Sequence, residues 1–449
     1  MKVKYFLKAF CGAALLVAAT SCNDWLKEEE PGKSTPEDYF ALGKAAIRAV
    51  NAAYTPLAWE FNSTYFSEWF IGDIASDDAL KGGQNLSDMA DAYDIENFKT
   101  NANNSLLRDF YRAQFQGIQR CNLAMQEVEA IEPDADMTAE RKTCLMGEAY
   151  YMRAYYYFRL VRIFGGVPYV DKVIDSSKDW KQPRATAEEI YNHIIDDLKL
   201  AEQMLWNKSK YADADLGRAT KGAAQAMLLK TYLYMHDYNN AYEWGKKFFE
   251  EQKNEYSLCP NYSDNFTLAG ENGPESVFEI QYMADPTRRL RRKVRRSPAV
   301  RFTTILTRSR AASLGGNAGW GFNHPTQNLY DEFEPGDPRR EATISKPSDS
   351  EVEANTDLTY LGSPYNNNKT SFYENGIFVA LDHATRSPMN YRLIRLSDVM
   401  LMYAEAALES GKDIAVAKNN AQQGARTCRN AGIPWISRLQ RQLAQGNPP

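Results

Sequence analysis

Two stretches of this chain, Thr220 to Glu251 and Ser397 to Asn430, follow one plan: an apolar helical segment, a tight turn, and a second segment with alanines where the pair must pack closely. The turns fall at Asp237-Tyr238-Asn239 and at Gly411. A helix that is apolar over most of its surface has to be buried, so hairpins of this kind need neighbours of their own sort on both sides. Further helical segments supply them. Thr35-Pro36-Glu37-Asp38 places a cap, a proline in the first turn and two acids ahead of an alanine-rich run, which predicts a helix to about Tyr54. Leu106 to Val128 repeats apolar residues on one face. Thr138 caps a third segment that carries Cys144, Met152, Tyr156 and Leu160 and stops at Gly165-Gly166, before Pro168. Thr186-Ala187-Glu188-Glu189 is a capping box ahead of Ile190, Ile194, Leu198 and Ala201.

The two hairpins resemble tetratricopeptide hairpins, although no strict 34-residue period is visible. From about 256 to 395 the texture changes to Gly, Pro, Asn and aromatics, with a strand-like piece at Ser276-Val277-Phe278-Glu279-Ile280. The expected fold is mainly α: a tetratricopeptide-like hairpin scaffold, one body over 36–449, bearing a loop-rich, short-stranded excursion for ligand binding.

The N-terminus begins with Lys2, Lys4 and Lys8, continues with an apolar run from Phe10 to Ala19, and closes with Thr20-Ser21-Cys22. That run is shorter than the ~20 residues a spanning helix needs, and small residues precede the cysteine. Residues 1–21 therefore read as a lipoprotein signal peptide, with Cys22 the lipidated first residue of the mature chain. The alternative is an ordinary secretory signal cleaved nearby, with Cys22 a plain thiol. Residues 22–35, with Lys27-Glu28-Glu29-Glu30, read as an acidic tether too polar to fold alone.

A net charge of -5 over 449 residues gives no basic excess and argues against nucleic acid as a partner. Cys121, Cys144, Cys259 and Cys428 lack CxxC spacing, which favours buried thiols over two disulfides.

Several segments in order resemble the SusD/RagB family, the surface nutrient-binding lipoproteins of Bacteroidetes. They are Cys22-Asn23-Asp24-Trp25-Leu26; Glu148 to Phe158, running into Phe164-Gly165-Gly166-Val167-Pro168; Pro183-Arg184-Ala185-Thr186; Gly217 to Ala224; and Tyr391 to Ala406. The resemblance implies no catalysis, no cofactor, an outer-membrane location facing the cell exterior, and a lid-like role over a SusC-type TonB-dependent transporter. Two departures stand out. Arg288 to Arg310 is a basic block with no acid between Pro286 and Tyr330, expected as a solvated loop or a reading-frame artefact. After Ala431-Gly432-Ile433-Pro434 the family pattern ordinarily continues, so a shortened C-terminus is expected.

No catalytic motif is complete. His193 and Asp197 lie one helical turn apart and could share a metal, but a surface hydrogen bond is the plainer reading. Asp213-Ala214-Asp215-Leu216-Gly217 hints at a calcium loop but has Ala224 where the closing Glu should stand. Asp77-Asp78 could serve as a glycosidase pair only with the right geometry.

Binding has better support. Sugars need flat aromatic faces, with amides, carboxylates or cations for their hydroxyls. Trp59, Tyr65 and Trp69 precede Asp73, Asp77, Asp78 and Lys81, while Trp320, Phe322 and Asn323 stand in a glycine-rich loop. The expected ligand contacts are Trp69, Asp77, Asp78, Lys81, Trp320 and Asn323, with the two clusters converging. The expected function is a glycan-binding lipoprotein that captures oligosaccharide and delivers it to a transporter. The alternatives are a peptide-binding member of the family and a helical-repeat scaffold without small ligand, the latter favoured if Trp69 and Trp320 are buried and far apart.

Overall fold

The computed structural model describes residues 43–60, 69–282, 301–310, 319–347, 363–370, 373–374, 377–378 and 387–426. Cys22, the tether, Thr35, Tyr65, Arg288 to Arg296, Cys428 and the C-terminal end lie outside them.

Eight helices among the described residues carry the frame: α1 Gly43–Tyr54, α2 Ser105–Ala130, α3 Ala139–Phe164, α4 Ala187–Met204, α5 Lys221–Tyr234, α6 Tyr238–Glu251, α7 Leu396–Glu409 and α8 Ile414–Arg426. Each packs on the one before and the one after it, α6 meeting α7 although residues 252–395 lie between them. This serial stacking is the tetratricopeptide-like arrangement that the hairpins predict.

Local chemistry sets the starts. The Thr138 hydroxyl accepts from the Arg141 amide at 3.2 Å, and Thr186 and Glu189 close a reciprocal capping box. Asp237 caps α6 by accepting from the Asn240 amide at 3.1 Å, so the expected turn residues Tyr238 and Asn239 already belong to that helix.

α2 and α3, 26 residues each, are about 39 Å long. They cross where Gly117 faces Tyr156: a Cβ on Gly117 would lie 2.4 Å from the ring, so only glycine lets the tyrosine enter. Tyr156 is fully buried and donates to the Ala53 carbonyl at 2.6 Å, tying in α1. Tyr151, Tyr155 and Tyr157 are buried too and Tyr150 is half-buried, so the tyrosine-rich helix is core. Cys121, Cys144 and Cys259 are buried free thiols, as expected.

Buried charges staple the helices. Glu148, with no exposed surface, accepts from the Tyr54 hydroxyl at 3.0 Å and Arg218 Nη1 at 2.9 Å. On the next layer Arg153 grips Asp197 through Nε at 2.8 Å and Nη2 at 2.7 Å. That pairing occupies the Asp197 carboxylate, while His193 stacks on Tyr169 at 3.6 Å between ring centroids. Asp215 is likewise taken, by Arg141 and Arg218.

The remaining described strands are short: β1 Ala79–Gly82, β2 Ser276–Ile280, β3 Phe322–Pro325, β4 Ile344–Ser345, β5 Asn366–Asn367, β6 Tyr373–Glu374, β7 Ile377–Phe378 and β8 Tyr391–Arg395. They form four antiparallel pairs, β1 with β3, β2 with β8, β4 with β5 and β6 with β7. The expected strand at Ser276 is β2, whose Phe278 sets its ring edge-on to Tyr151 of α3 at 4.9 Å.

The end of the basic block differs from the solvated loop expected of it. Arg301 is 2 % exposed and Arg308 4 %. Arg301 donates to the carbonyls of Met389 and Asn390 at 3.3 and 3.1 Å and lies over the Tyr391 ring at 5.2 Å. Nearby, the Glu60 carboxylate accepts from the Tyr282 hydroxyl at 2.9 Å and the Thr303 amide at 2.6 Å. One buried carboxylate thus knits the frame to the excursion, and a guanidinium suits such a place because it stays charged and offers several donors.

Candidate functional site

A second, smaller hydrophobic cluster sits at the N-terminal end of α2 and the C-terminal end of α3. It gathers Trp69, Phe70, Ile74, Ala92, Ile95, Phe110, Leu306 and Phe322, with Phe302 and Trp320 packed against it. The pairing of β1 with β3 builds this lobe, in the register Ala79 to Pro325, Leu80 to His324 and Gly82 to Phe322. The strands meet closely at their glycines. Gly82 has φ 71° and Gly321 has φ 68°, and a Cβ on Gly82 would stand 2.1 Å from the Gly321 carbonyl oxygen. The Gly83 amide donates to that same oxygen at 2.6 Å. Beyond β3, Thr326 fixes the acidic turn: its amide donates to the Asp78 carbonyl and its hydroxyl to the Asp77 carbonyl, each at 2.8 Å.

The two sequence clusters therefore converge, but three of the six expected contact residues are buried. Trp69, 4 % exposed, stacks on Phe70 at 3.9 Å as part of the lobe's core. Lys81 has no exposed surface; its ammonium donates to the carbonyls of Asn85 and Asp88 at 3.0 and 2.6 Å and clamps the 83–89 loop. Burial pushes its pKa down, and Asp88 and Glu96 push the other way. Asn323, 2 % exposed, donates through Nδ2 to the Asp73 carboxylate at 2.7 Å. Sequence pattern marked these side chains as polar or aromatic, but the long-range strand pairing puts a second layer over them.

The residues left at the surface are Asp77 and Asp78, both exposed, and Trp320, half-buried and edge-on to Phe302 at 5.5 Å. The Trp320 amide donates to the Ile305 carbonyl at 2.8 Å, and Arg310 Nη1 donates to the Trp320 carbonyl at 3.5 Å, which together fix the backbone behind the indole. Asp73 is half-buried. Burial, then the neighbouring Asp77 and Glu332, pushes the Asp78 carboxyl above the usual carboxylate range, with Lys369 offsetting them. Of the other aromatics, Trp59 belongs to the frame, half-buried with the Arg120 guanidinium 4.8 Å from its ring, and Phe322 is core at 1 % exposure.

Among the surface aromatics that escaped the sequence reading, Phe98 lies nearest in sequence to this lobe. Phe98 is 77 % exposed and held at φ 55°, three residues beyond the buried Ile95, whose carbonyl accepts from its amide at 3.1 Å. The signal was present: an isolated aromatic followed by the exposed amides Asn101 and Asn103 between two helices. A bulky residue in the left-handed region with its ring in water is unusual and marks a position for functional attention. The lobe and the loop before α2 thus have a ring exposed at Phe98 and half-buried at Trp320, exposed carboxylates at Asp77 and Asp78, and exposed amides at Asn101 and Asn103. Among the described residues no group of three or more His, Cys, Asp or Glu gathers as a metal-holding set, and no helix is long and apolar enough to cross a membrane.

Comparison with known proteins gives this lobe and frame a context. Residues 24–233 match the family model described as starch-binding associating with outer membrane, and residues 274–430 match that of the SusD family. SusD-like protein P2 of Formosa agariphila is 25% identical over 410 residues, spanning 88% of this chain and 76% of that protein. Among solved structures, surface glycan-binding protein A from Bacteroides fluxus superposes with a TM-score of 0.72 at 23% identity, covering 86% of this chain and 82% of that one. Its counterpart from Bacteroides thetaiotaomicron, in complex with laminarihexaose, gives 0.70 at 22% identity, covering 85% and 83%. With serially stacked helices, the excursion between α6 and α7, and two family models that together span most of its length, the chain belongs to the SusD/RagB family.

Proposed function

We propose that this chain is a surface glycan-binding lipoprotein that captures oligosaccharide and delivers it to a SusC-type TonB-dependent transporter in the outer membrane. Lipid on Cys22 holds it on the outer face of that membrane, and multiple acyl chains are needed because a single one binds only marginally. The observation that carries the reading is the single lobe joined through β1 and β3, which presents the half-buried Trp320 towards the Gly82 end of the strand pair and the exposed carboxylates of Asp77 and Asp78 at the Ala79 end. An indole offers a flat apolar face to a pyranose, and carboxylates accept from its hydroxyls. The glycan-binding relatives, one of them holding laminarihexaose, support the same ligand class. Trp69 and Trp320 share one cluster, which disfavours a scaffold without small ligand.

Isothermal calorimetry and affinity electrophoresis against laminarin, starch, xylan, galactomannan and pectin test the reading. Binding to at least one polysaccharide, reduced by Trp320→Ala, is expected. Binding to peptides and to none of the glycans would move the assignment to the peptide-binding class. Pull-down with a SusC-type transporter from the same organism tests the delivery step.

A further inference from the structure

Beyond β3 the chain enters the short helix Gln327–Glu332, whose cap Thr326 is the residue that fixes the Asp77-Asp78 turn. On this helix Tyr330 is half-buried, and the ring of Tyr365 stacks on it at 4.7 Å with 15° between the planes. Tyr365 is itself 1 % exposed and donates its hydroxyl to Gln327 Oε1 at 2.6 Å, so the two rings make a fixed platform. Two cations share it. The Arg340 guanidinium lies 4.9 Å from the Tyr330 ring centroid and the Lys346 ammonium 5.7 Å.

An aromatic ring attracts each cation, but two like charges drawn to one ring repel each other. Elsewhere on this flank polar groups are matched: Arg339 donates twice to the Asp337 carboxylate, and Asp331 accepts from Gln327 at 2.8 Å. The charged groups of Arg340 and Lys346, by contrast, make no hydrogen bond or ion pair with any described residue. Lys346 is exposed and Arg340 half-buried. A guanidinium takes a carboxylate or sulfate through parallel N–H donors, and an ammonium adds a point charge with donors of its own. The exposed Glu332, Glu334 and Glu341 lie in the same stretch of chain. Their charges repel a polymer that is anionic at every residue, so the ligand that fits is a largely neutral chain bearing spaced negative charges.

We infer that Tyr330, Arg340 and Lys346 form an anion subsite on the flank of the lobe, taking the carboxylate of a uronic acid or the sulfate ester of a sugar set along an otherwise neutral glycan. This rests on the glycan-binding reading above and narrows its substrate class. Tyr330 holds the two cations in place, while Arg340 and Lys346 supply the positive charge and donors that the Asp77-Asp78 turn lacks.

Calorimetry on the full chain tests the subsite with two pairs of polymers: glucuronoxylan against the same xylan with its carboxyl groups reduced, and porphyran against its desulfated form. The parent is expected to bind one charged polymer roughly tenfold more tightly than its neutralised partner, a margin that shrinks as salt rises. Which pair shows the margin separates carboxylate from sulfate. Arg340→Gln combined with Lys346→Gln is expected to erase it, with the melting temperature and the affinity for the neutralised polymer staying parental. Lys346→Gln alone, at an exposed position, is expected to remove part of it. No margin in either pair, a margin that survives the double substitution, or a double variant that loses both members of a pair alike would overturn the inference. A parent that binds the neutral polysaccharides of the panel but shows no margin loses the anion subsite alone; one that binds no glycan loses the functional reading as well.

Discussion

Replacing Arg153 with methionine should destabilise this protein through the charge it leaves behind. In the native structure Arg153 makes the two bonds to Asp197 and also donates through Nη1 to Asn122 Oδ1 at 2.9 Å and to the Asp171 carbonyl at 3.2 Å. Methionine fills much of the volume but supplies none of these donors. Asp197, 4 % exposed, is then an uncompensated buried carboxylate, and breaking such a pair costs about 3–5 kcal/mol. The pH dependence identifies the cause. Burial already pushes the Asp197 carboxyl above its ordinary value, and Arg153 opposes it. Without the guanidinium the folded pKa climbs further above the unfolded one. A carboxyl raised in this way is destabilising while ionised, so the loss is full above its folded pKa and fades as pH falls through it. Guanidinium denaturation followed by tryptophan fluorescence at pH 8 and pH 5 should show a smaller deficit at the lower pH. Arg153→Met combined with Asp197→Leu should recover much of the stability, since an apolar pair replaces the stranded charge. A deficit under about 1 kcal/mol at pH 8, or one equal at both pH values, would refute this account.

Other substitutions separate core from surface. Trp69→Ala should cost about 3–5 kcal/mol in denaturation, as expected for emptying a buried aromatic site, whereas Trp320→Ala, which removes a half-buried ring, should cost clearly less and weaken glycan binding several-fold to about tenfold, read by calorimetry. Gly117→Ala should lose about 1–3 kcal/mol by chemical denaturation, because its methyl meets the Tyr156 ring at the crossing of α2 and α3. Glycan affinity measured against pH should fall on acidification with a midpoint above that of an ordinary aspartate, as the raised Asp78 carboxyl takes up its proton, and Asp78→Asn should flatten that part of the profile. A parental profile that is flat through the carboxylate range would remove Asp78 from the contact set.

Sequence by itself determined the frame. Thr138, Thr186, Thr220 and Asp237 act on amides within three residues of themselves, and the apolar spacing behind them repeats within one helix, so both signals are local and readable. The same holds for the family resemblance, carried by runs such as Glu148 to Phe158, whose apolar and aromatic residues are largely core and whose Glu148 and Arg153 are buried ion-pair partners. Tertiary structure alone decided the inside and outside of the lobe. Ala79 pairs with Pro325 across 246 positions of chain, and that pairing buries Lys81 and Asn323 under a second layer while leaving Asp77, Asp78 and Trp320 at the surface. A lysine read from sequence is a surface cation; only the carbonyls of Asn85 and Asp88, folded over it, make it a clamp. Arg301 and Arg308 are the same case at the end of the basic block. Whether a polar side chain meets water or a partner depends on residues far away in sequence, and local pattern carries no record of them.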